Sequence, residues 1–277
     1  MVKLKFSNAD NLKYLINGLK NVSENINFNF LKDGIEIKGL DTSKSALIDA
    51  FLHKSYFETY QYQKDINFGI FLESFWKILK SIRKNDTAEL YIPKSEDFLK
   101  ITLENNTRKG VFKLKAIDLE PESVSIPPID YDNKMSIFSN KFYHMISDLH
   151  QFESKDIKIF TKDENILFGI NSNLSECEIS FKTQNYPVRE KNGKKYKVIE
   201  KAGKEIMSLI TDYYETHNVK NDTNLVFNAD YLYKFAQLYQ LCPEVVLEFS
   251  NTMPLKIQYD LNSSSYLKYY LAPKCDF

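Results

Sequence analysis

From Val2 the chain alternates apolar and polar residues as far as Phe6, then changes to helical spacing, with Leu12, Leu15, Ile16 and Leu19 recurring three and four residues apart. A strand followed by an amphipathic helix is predicted. Beyond it a second alternating run turns at Lys32-Asp33-Gly34 and continues through Ile35, Ile37 and Leu40, the pattern of paired strands. Helical spacing returns at Leu72, Phe75, Leu79 and Ile82, which predicts a helix reaching Lys84.

This succession occurs twice. Phe6-Ser7-Asn8 recurs as Phe138-Ser139-Asn140, followed by Phe142, Met145, Ile146 and Leu149 at helical spacing. A Lys162-Asp163-Glu164 turn then precedes Ile166, Phe168 and Ile170, at an offset of about 130 from the first copy. Leu99-Lys100-Ile101 recurs as Leu255-Lys256-Ile257 at an offset of 156, so the second copy carries 26 extra residues. They fall between a strand ending near Phe181 and a helix over Asn228 to Leu241. That interval holds Asn192-Gly193, a hairpin signal, and then Ile199, Ala202, Ile206, Leu209, Ile210 and Tyr213 at helical spacing. Two similar α+β domains follow, over 1–116 and 132–277, with an insertion at about 182–224. The connector 117–131 carries three of the eight prolines and no periodicity, and reads as an extended linker.

Composition narrows the function. No run of 18 apolar residues occurs, and the first residues lack the apolar stretch of a signal peptide, which predicts a soluble chain that is not exported and has no membrane partner. Cys177, Cys242 and Cys275 are far apart and form no CxxC pair, so neither a disulfide framework nor a metal site is expected. Lys+Arg and Asp+Glu are both 37, so any nucleic-acid contact must come from segregated charge. Segregation is visible. Lys13, Asn17 and Lys20 lie opposite the apolar stripe of the first helix, and Lys77, Lys80 and Lys84, with Arg83 beside them, lie opposite that of the second. The second copy is sparser, with Lys141 and His144 on one helix, and Asp230, Lys234 and Gln237 on the other.

The closing segment Tyr266-Leu267-Lys268-Tyr269-Tyr270-Leu271-Ala272-Pro273-Lys274 resembles the end of proliferating cell nuclear antigen, nearly letter for letter. Asp33-Gly34 to Leu40-Asp41-Thr42-Ser43, Phe75-Trp76-Lys77-Ile78-Leu79-Lys80, and the linker from Ile117-Asp118-Leu119 to Ile126-Pro127 are similar to that family as well. The resemblance implies two processivity-fold (DNA clamp) domains, with sheets outside and helices lining a ring of three subunits. It implies a homotrimer that encircles double-stranded DNA without sequence preference and serves as a polymerase processivity factor in replication and repair. The implied partners are a DNA polymerase, a clamp loader and proteins carrying PIP-type peptides.

Carried over by position, the peptide pocket would use Leu40, Lys44, Leu47, Val124, Ile126, Pro127, Pro254, Tyr270, Leu271, Ala272 and Pro273. Lys13, Lys20, Lys77, Lys80, Arg83, Lys84, Lys141 and His144 would face DNA. Lys162 matches a position that family members modify with ubiquitin. The implied location is the nucleus for a eukaryotic cellular protein, and the host nucleus or a viral replication site for a viral one.

The residues themselves suggest subunit edges at Gly110–Ile117 and Ser175–Phe181, with Phe112, Leu114, Cys177 and Ile179 in or beside the contact, because a ring of open sheets must satisfy its edge hydrogen bonds. Catalysis is not expected. His53, His144, His150 and His217 are scattered, no HExxH, GxSxG, Walker A or GxGxxG pattern occurs, and no cofactor is implied. Trp76, among Phe75 and Leu79, reads as core. A subunit of a heterotrimeric replicative or checkpoint-type clamp is the alternative reading. A DNA-modifying enzyme with the insertion as its lid is a remote one, and Glu200, Glu205, Asp212 and Glu215 read instead as a solvated helix face.

Overall fold

Asn8 and Asn228 open the first and last helices for one reason: each has extended backbone, and each carboxamide oxygen accepts an N–H of the first turn, from Asp10 at 2.9 Å and from Asp230 at 2.9 Å and Tyr231 at 3.3 Å. The computed structural model describes the chain apart from residues 121–125, 153, 164, 173–174, 182–187, 192–193, 202–203, 210–213, 220 and 275–277. The first half runs β1 (Val2–Phe6), α1 (Ala9–Lys20), β2 (Asn25–Leu31), β3 (Gly34–Leu40), β4 (Ala46–His53), β5 (Thr59–Tyr62), β6 (Ile66–Phe71), α2 (Leu72–Leu79), β7 (Thr87–Ile92), β8 (Phe98–Asn105) and β9 (Arg108–Lys115). The second runs β10 (Asn133–Phe138), α3 (Ser139–His150), β11 (Asp156–Lys162), β12 (Asn165–Asn171), β13 (Glu176–Phe181), β14 (Val188–Lys191), β15 (Lys194–Lys201), β16 (Lys204–Leu209), β17 (Tyr214–Val219), β18 (Asn224–Asn228), α4 (Ala229–Ala236), β19 (Glu244–Phe249), β20 (Leu255–Asn262) and β21 (Ser265–Leu271).

The helices bury the stripes that their spacing predicts: Leu12, Leu15, Ile16 and Leu19 in α1, and Phe142, Met145, Ile146 and Leu149 in α3. Each such side chain contributes about 1.5–3 kcal/mol by leaving water. α2 is shorter than expected. Ser81 Oγ donates to the Ile78 carbonyl at 2.7 Å, Asn85 adopts a φ of 66°, and the Arg83 N–H donates to Asp86 Oδ2 at 2.9 Å, so Ile82, Arg83 and Lys84 lie in a turn beyond the helix. Trp76 is half-buried against the core that holds Phe75 and Leu79.

A nine-stranded sheet of order β17-β10-β19-β20-β21-β4-β3-β2-β6 runs through both halves, joined where β21 pairs with β4 from Tyr266↔Phe51 to Leu271↔Ala46. The order β5-β1-β7-β8-β9 forms a second sheet, and β13-β12-β11-β18 a third. α1 packs on α2, α3 packs on α4, and a 3-10 turn at Gln237–Gln240 touches both α1 and α3, so the helices form one layer. Gly18 permits that approach: a Cβ there would lie 2.5 Å from a Leu238 methyl and 2.7 Å from the Tyr269 hydroxyl.

The helices keep the offset of 130, from Ala9 to Ser139, and the strands after them shift to 131, with Ile35 of β3 standing where Ile166 of β12 does. The later offset of 156 holds: buried Leu99 of β8 stands where buried Leu255 of β20 does, paired with Leu114 and Leu271 respectively. The extra residue lies between helix and strand, since β2 begins five residues after Lys20 and β11 six after His150. Lys162 is accordingly the last residue of β11, paired with Asn165, and not a turn residue.

The insertion also departs from expectation. Residues 194–201 and 204–209 are strand and not helix: β15 pairs with β16 from Tyr196↔Leu209 to Lys201↔Lys204, and β14 pairs with β15 up to Lys191↔Lys194, while Asn192-Gly193, Ala202, Ile210 and Tyr213 lie outside the described residues. Helical spacing was misleading because two short paired strands place apolar residues at the same intervals. β17, inside the expected insertion, pairs with β10 as β5 pairs with β1, so it belongs to the repeated unit.

Candidate functional site

The helix layer carries the first set of candidate residues. Lys77, Lys80, Arg83, Lys84, Lys141 and His144 are exposed and Lys13 is half-buried, while Lys20 is bound to Glu73 at 3.1 Å. That contact, chiefly the hydrogen bond from Lys20, holds the Glu73 carboxyl below its ordinary range. In the second half, side chains near the equivalent positions stack on one another: Tyr143 on Tyr239 at 4.5 Å and His150 on Tyr233 at 4.5 Å, with His150 Nε2 bonded to Asp230 at 2.8 Å. Cationic side chains are therefore concentrated on the first half, as the charge pattern suggested.

On the sheet side, the turn after β3 shapes a pocket. The Asp41 carboxylate accepts hydrogen bonds from the Ser43 N–H at 3.0 Å, the Ala46 N–H at 2.6 Å, the Tyr231 hydroxyl at 2.5 Å and the Ser43 hydroxyl. Burial opposes its ionisation, but the bonds from Ser43, Tyr231 and Ala46 outweigh burial and hold the carboxyl below its usual range. Lys44 sits in the left-handed region at a φ of 57°. This fixed turn, the linker and the final strand enclose an apolar cavity of about 610 Å³.

Leu40, Lys44, Leu47, Ile126, Pro127, Pro254, Tyr270 and Ala272 all line it, as sequence position implied. Leu271 does not: alternation along β21 turns it into the core, where it is 1% exposed. Pro273, beyond the strand, is also absent from the lining, and Val124 lies outside the described residues. Sequence reasoning missed Ile129 and Met253, the latter 37% exposed and not signalled by periodicity. The Tyr131 hydroxyl donates to the Pro254 carbonyl at 3.0 Å, tying the linker to the loop before β20. Burial pushes the Tyr270 phenol up to about 12, so it stays a neutral donor.

The two candidate edge strands end their sheets, β9 in the second sheet and β13 in the third. Phe112, Cys177 and Ile179 are half-buried against the core, and Leu114 is buried. The opposite face of β9 exposes Lys109, Lys113, Lys115 and Val111, whereas that of β13 exposes Glu176 and Glu178. Lys162 is exposed. Among the described residues no group of three or more His, Cys, Asp or Glu is placed to hold a metal ion, and no helix is long and apolar enough to cross a membrane.

The duplicated helix-on-sheet unit, with a linker across the sheet side, is a two-domain α+β DNA-clamp fold. Comparison with known proteins agrees: residues 1–123 match the N-terminal domain of proliferating cell nuclear antigen (PCNA), and residues 211–274 match its C-terminal domain. The second match begins after β16, leaving the β14–β16 sheet outside it. A proliferating cell nuclear antigen of Chaetomium thermophilum is 25% identical over 276 residues, covering 99% of this chain and 98% of the relative. A probable DNA polymerase sliding clamp of Autographa californica nuclear polyhedrosis virus is 23% identical over 274 residues, covering 99% and 96%. In fold, the chain is similar to a crystal structure of a PCNA2–PCNA3 complex from Sulfolobus tokodaii, with a TM-score of 0.82, 22% identity, and coverage of 98% of this chain and 99% of that one. The chain belongs to the PCNA family of DNA sliding clamps, which act in DNA replication and are not an enzyme family.

Proposed function

We propose that three copies of this chain join head to tail into a closed ring that encircles duplex DNA and tethers a polymerase and other replication and repair proteins. The observation that carries the reading is the self-complementarity of the two edges. If β9 of one copy pairs with β13 of the next, Phe112 and Leu114 meet Cys177 and Ile179 on the core side, and the lysine row of β9 meets Glu176 and Glu178 on the other. Pairing like edges would oppose lysine to lysine or glutamate to glutamate, which disfavours a closed two-fold dimer. A chain that carries both halves of its own contact needs no second kind of subunit, which favours the homotrimer over the heterotrimer. Val111, 51% exposed on β9, would be covered by the contact.

With the helices turned to the hole, Lys13, Lys20, Lys77 and Lys80, with Arg83, Lys84, Lys141 and His144 nearby, contact phosphates and read no bases, which lets the ring slide. The cavity formed by Leu40, Leu47, Ile126, Pro127, Pro254 and Tyr270 takes the aliphatic and aromatic side chains of a PIP-type peptide from a polymerase, clamp loader or repair protein. Lys162 is the candidate site for ubiquitin. The ring works in the nucleus of a eukaryotic cell or, for a virus, in the host nucleus or replication site. Light scattering of the purified chain at micromolar concentration tests the assembly. Three times the 32.5 kDa chain mass is expected, and a lower mass for Ile179→Asp, whereas a monomeric wild type removes the proposal.

A further inference from the structure

Five aromatic side chains run in a file across the helix layer. Tyr239, in the 3-10 turn after α4, stacks on Tyr143 of α3 with ring centroids 4.5 Å apart and planes inclined by 19°. Tyr143 in turn faces Tyr233 of α4 at 6.2 Å and 28°, and Tyr233 stacks on His150 at 4.5 Å and 14°. Tyr14 of α1 adjoins the Tyr239 end: burial raises its phenol above the ordinary value, and Asp10 and Tyr239 add to the rise. All five are half-buried, and none belongs to the stripes that α1, α3 and α4 bury. Their exposed edges therefore lie on the free side of the helix layer, the side proposed above to face DNA.

Charge is not what this part of the surface offers. Lys141 and Lys234 are matched by Asp148 and Asp230, so α3 and α4 carry no net charge with histidine neutral, whereas Lys77, Lys80, Arg83 and Lys84 crowd the end of α2 and the turn after it. The file offers hydroxyl protons instead. The Tyr239 hydroxyl accepts from Gln240 Nε2 at 3.1 Å, which uses a lone pair and leaves its own proton to donate. Neutral tyrosine hydroxyls are among the groups that bind phosphate oxygens. The ring faces are largely taken, because Tyr143 lies between Tyr239 and Tyr233, and Tyr233 between Tyr143 and His150. Stacking on nucleic-acid bases needs an open face, so the file suits the phosphodiester backbone of a duplex and not the bases of a single strand.

We infer that Tyr14, Tyr143, Tyr233 and Tyr239 form an uncharged contact strip for the phosphates of duplex DNA, giving each subunit a cationic grip on its first half and a hydroxyl grip on its second. This rests on the ring reading above and goes beyond it in the kind of contact. A hydrogen bond from a neutral group replaces no counterion, so the strip adds affinity that salt does not remove. Hydroxyls aimed at phosphates read no bases, so the strip leaves the ring free to slide.

The test is fluorescence anisotropy of the full-length protein with a labelled duplex over a range of salt concentrations. Wild type is compared with Tyr14→Phe/Tyr143→Phe/Tyr233→Phe/Tyr239→Phe, which keeps the stack and removes only the hydroxyls, and with Lys77→Ala/Lys80→Ala. The tyrosine variant is expected to bind about tenfold more weakly at every salt concentration, the effect of about one hydrogen bond to a charged group, with an unchanged log–log slope. The lysine variant is expected to lower the slope. Light scattering and circular dichroism of the same samples check assembly and fold. Should the fourfold variant misfold, Tyr14→Phe/Tyr239→Phe, at the open end of the file, is read in the same way, with an expected loss of about threefold. Unchanged affinity in the tyrosine variant, or a loss that comes with a lower slope, overturns the strip, and the ring reading stands if the lysine variant still shows its effect. If neither variant changes binding, the hole-facing reading fails and the strip with it. Tighter binding of single-stranded DNA than of duplex, retained in the tyrosine variant, overturns the strip in favour of base stacking.

Discussion

Replacing Gly69 with alanine should loosen the start of the linker, because Gly69 lies in β6 where the linker first touches the sheet. The Ile117 N–H donates to the Gly69 carbonyl at 3.1 Å, and a Cβ built on Gly69 would lie 2.2 Å from the Ile117 carbonyl oxygen and 3.1 Å from Leu119 Cγ. A backbone oxygen cannot rotate away as a side chain can, so the strand or the linker must move. Overpacking costs about 1–3 kcal/mol, and losing the bridge costs about 1 kcal/mol more. The lower chain entropy of alanine in the unfolded state offsets about 0.4–1 kcal/mol of this. A net loss on the order of 2 kcal/mol follows. Denaturant unfolding at fixed protein concentration would measure it, since subunit association is linked to stability. Displacing Ile117 also moves the segment that carries Ile126 and Pro127 into the pocket wall, so a PIP-type peptide should bind several-fold more weakly. Unchanged stability together with unchanged peptide affinity would refute the reasoning.

Ile126→Ala or Leu47→Ala should weaken the same peptide by about 1 kcal/mol or more while the oligomer survives, which calorimetry and light scattering can separate. Phe112→Ala should lower the trimer fraction at micromolar concentration, and an unchanged fraction would count against the β9 edge. Changing Lys77 and Lys80 to alanine should flatten the salt dependence of DNA binding by about two in the log–log slope for each subunit whose pair contacts phosphate, and so by up to about five for the ring of three. Lys20→Ala should do less, since Glu73 already neutralises that ammonium. The Asp41 carboxyl titrates lower when folded than when unfolded, so its contribution is complete above the unfolded value of about 4 and lost as pH falls through the lower folded value. Tyr231→Phe removes one of the bonds that lower it, and should shift acid unfolding to higher pH in a circular dichroism titration.

Most of the architecture was legible because the repeat is written in buried positions. Leu12, Leu15, Ile16 and Leu19, and their counterparts Phe142, Met145, Ile146 and Leu149, face one core at one spacing, and selection of that spacing by burial leaves a trace that periodicity can read. What failed was what burial does not write. α2 stops at Leu79 because of local hydrogen bonds around Ser81, Arg83 and Asp86, although Ile82 is buried and prolongs the apolar stripe. The strands at 194–209 mimic a helix because two hairpin arms can space apolar residues as a helix does. At the pocket, position in the chain found most of the lining. Leu271 was misplaced because alternation along β21 turns it inward beside Tyr270 and Ala272, and Met253 went unnoticed because a lone exposed apolar residue has no period.

In the proposed closed ring, β9 of each copy pairs with β13 of the next. Single-particle electron microscopy of the purified full-length chain with a short DNA duplex tests it most directly. Rings of three subunits are expected, showing six helix-on-sheet units, helices toward the hole and duplex density within it. Compact monomers or two-fold dimers with no central opening, at concentrations where the protein is folded, would contradict it.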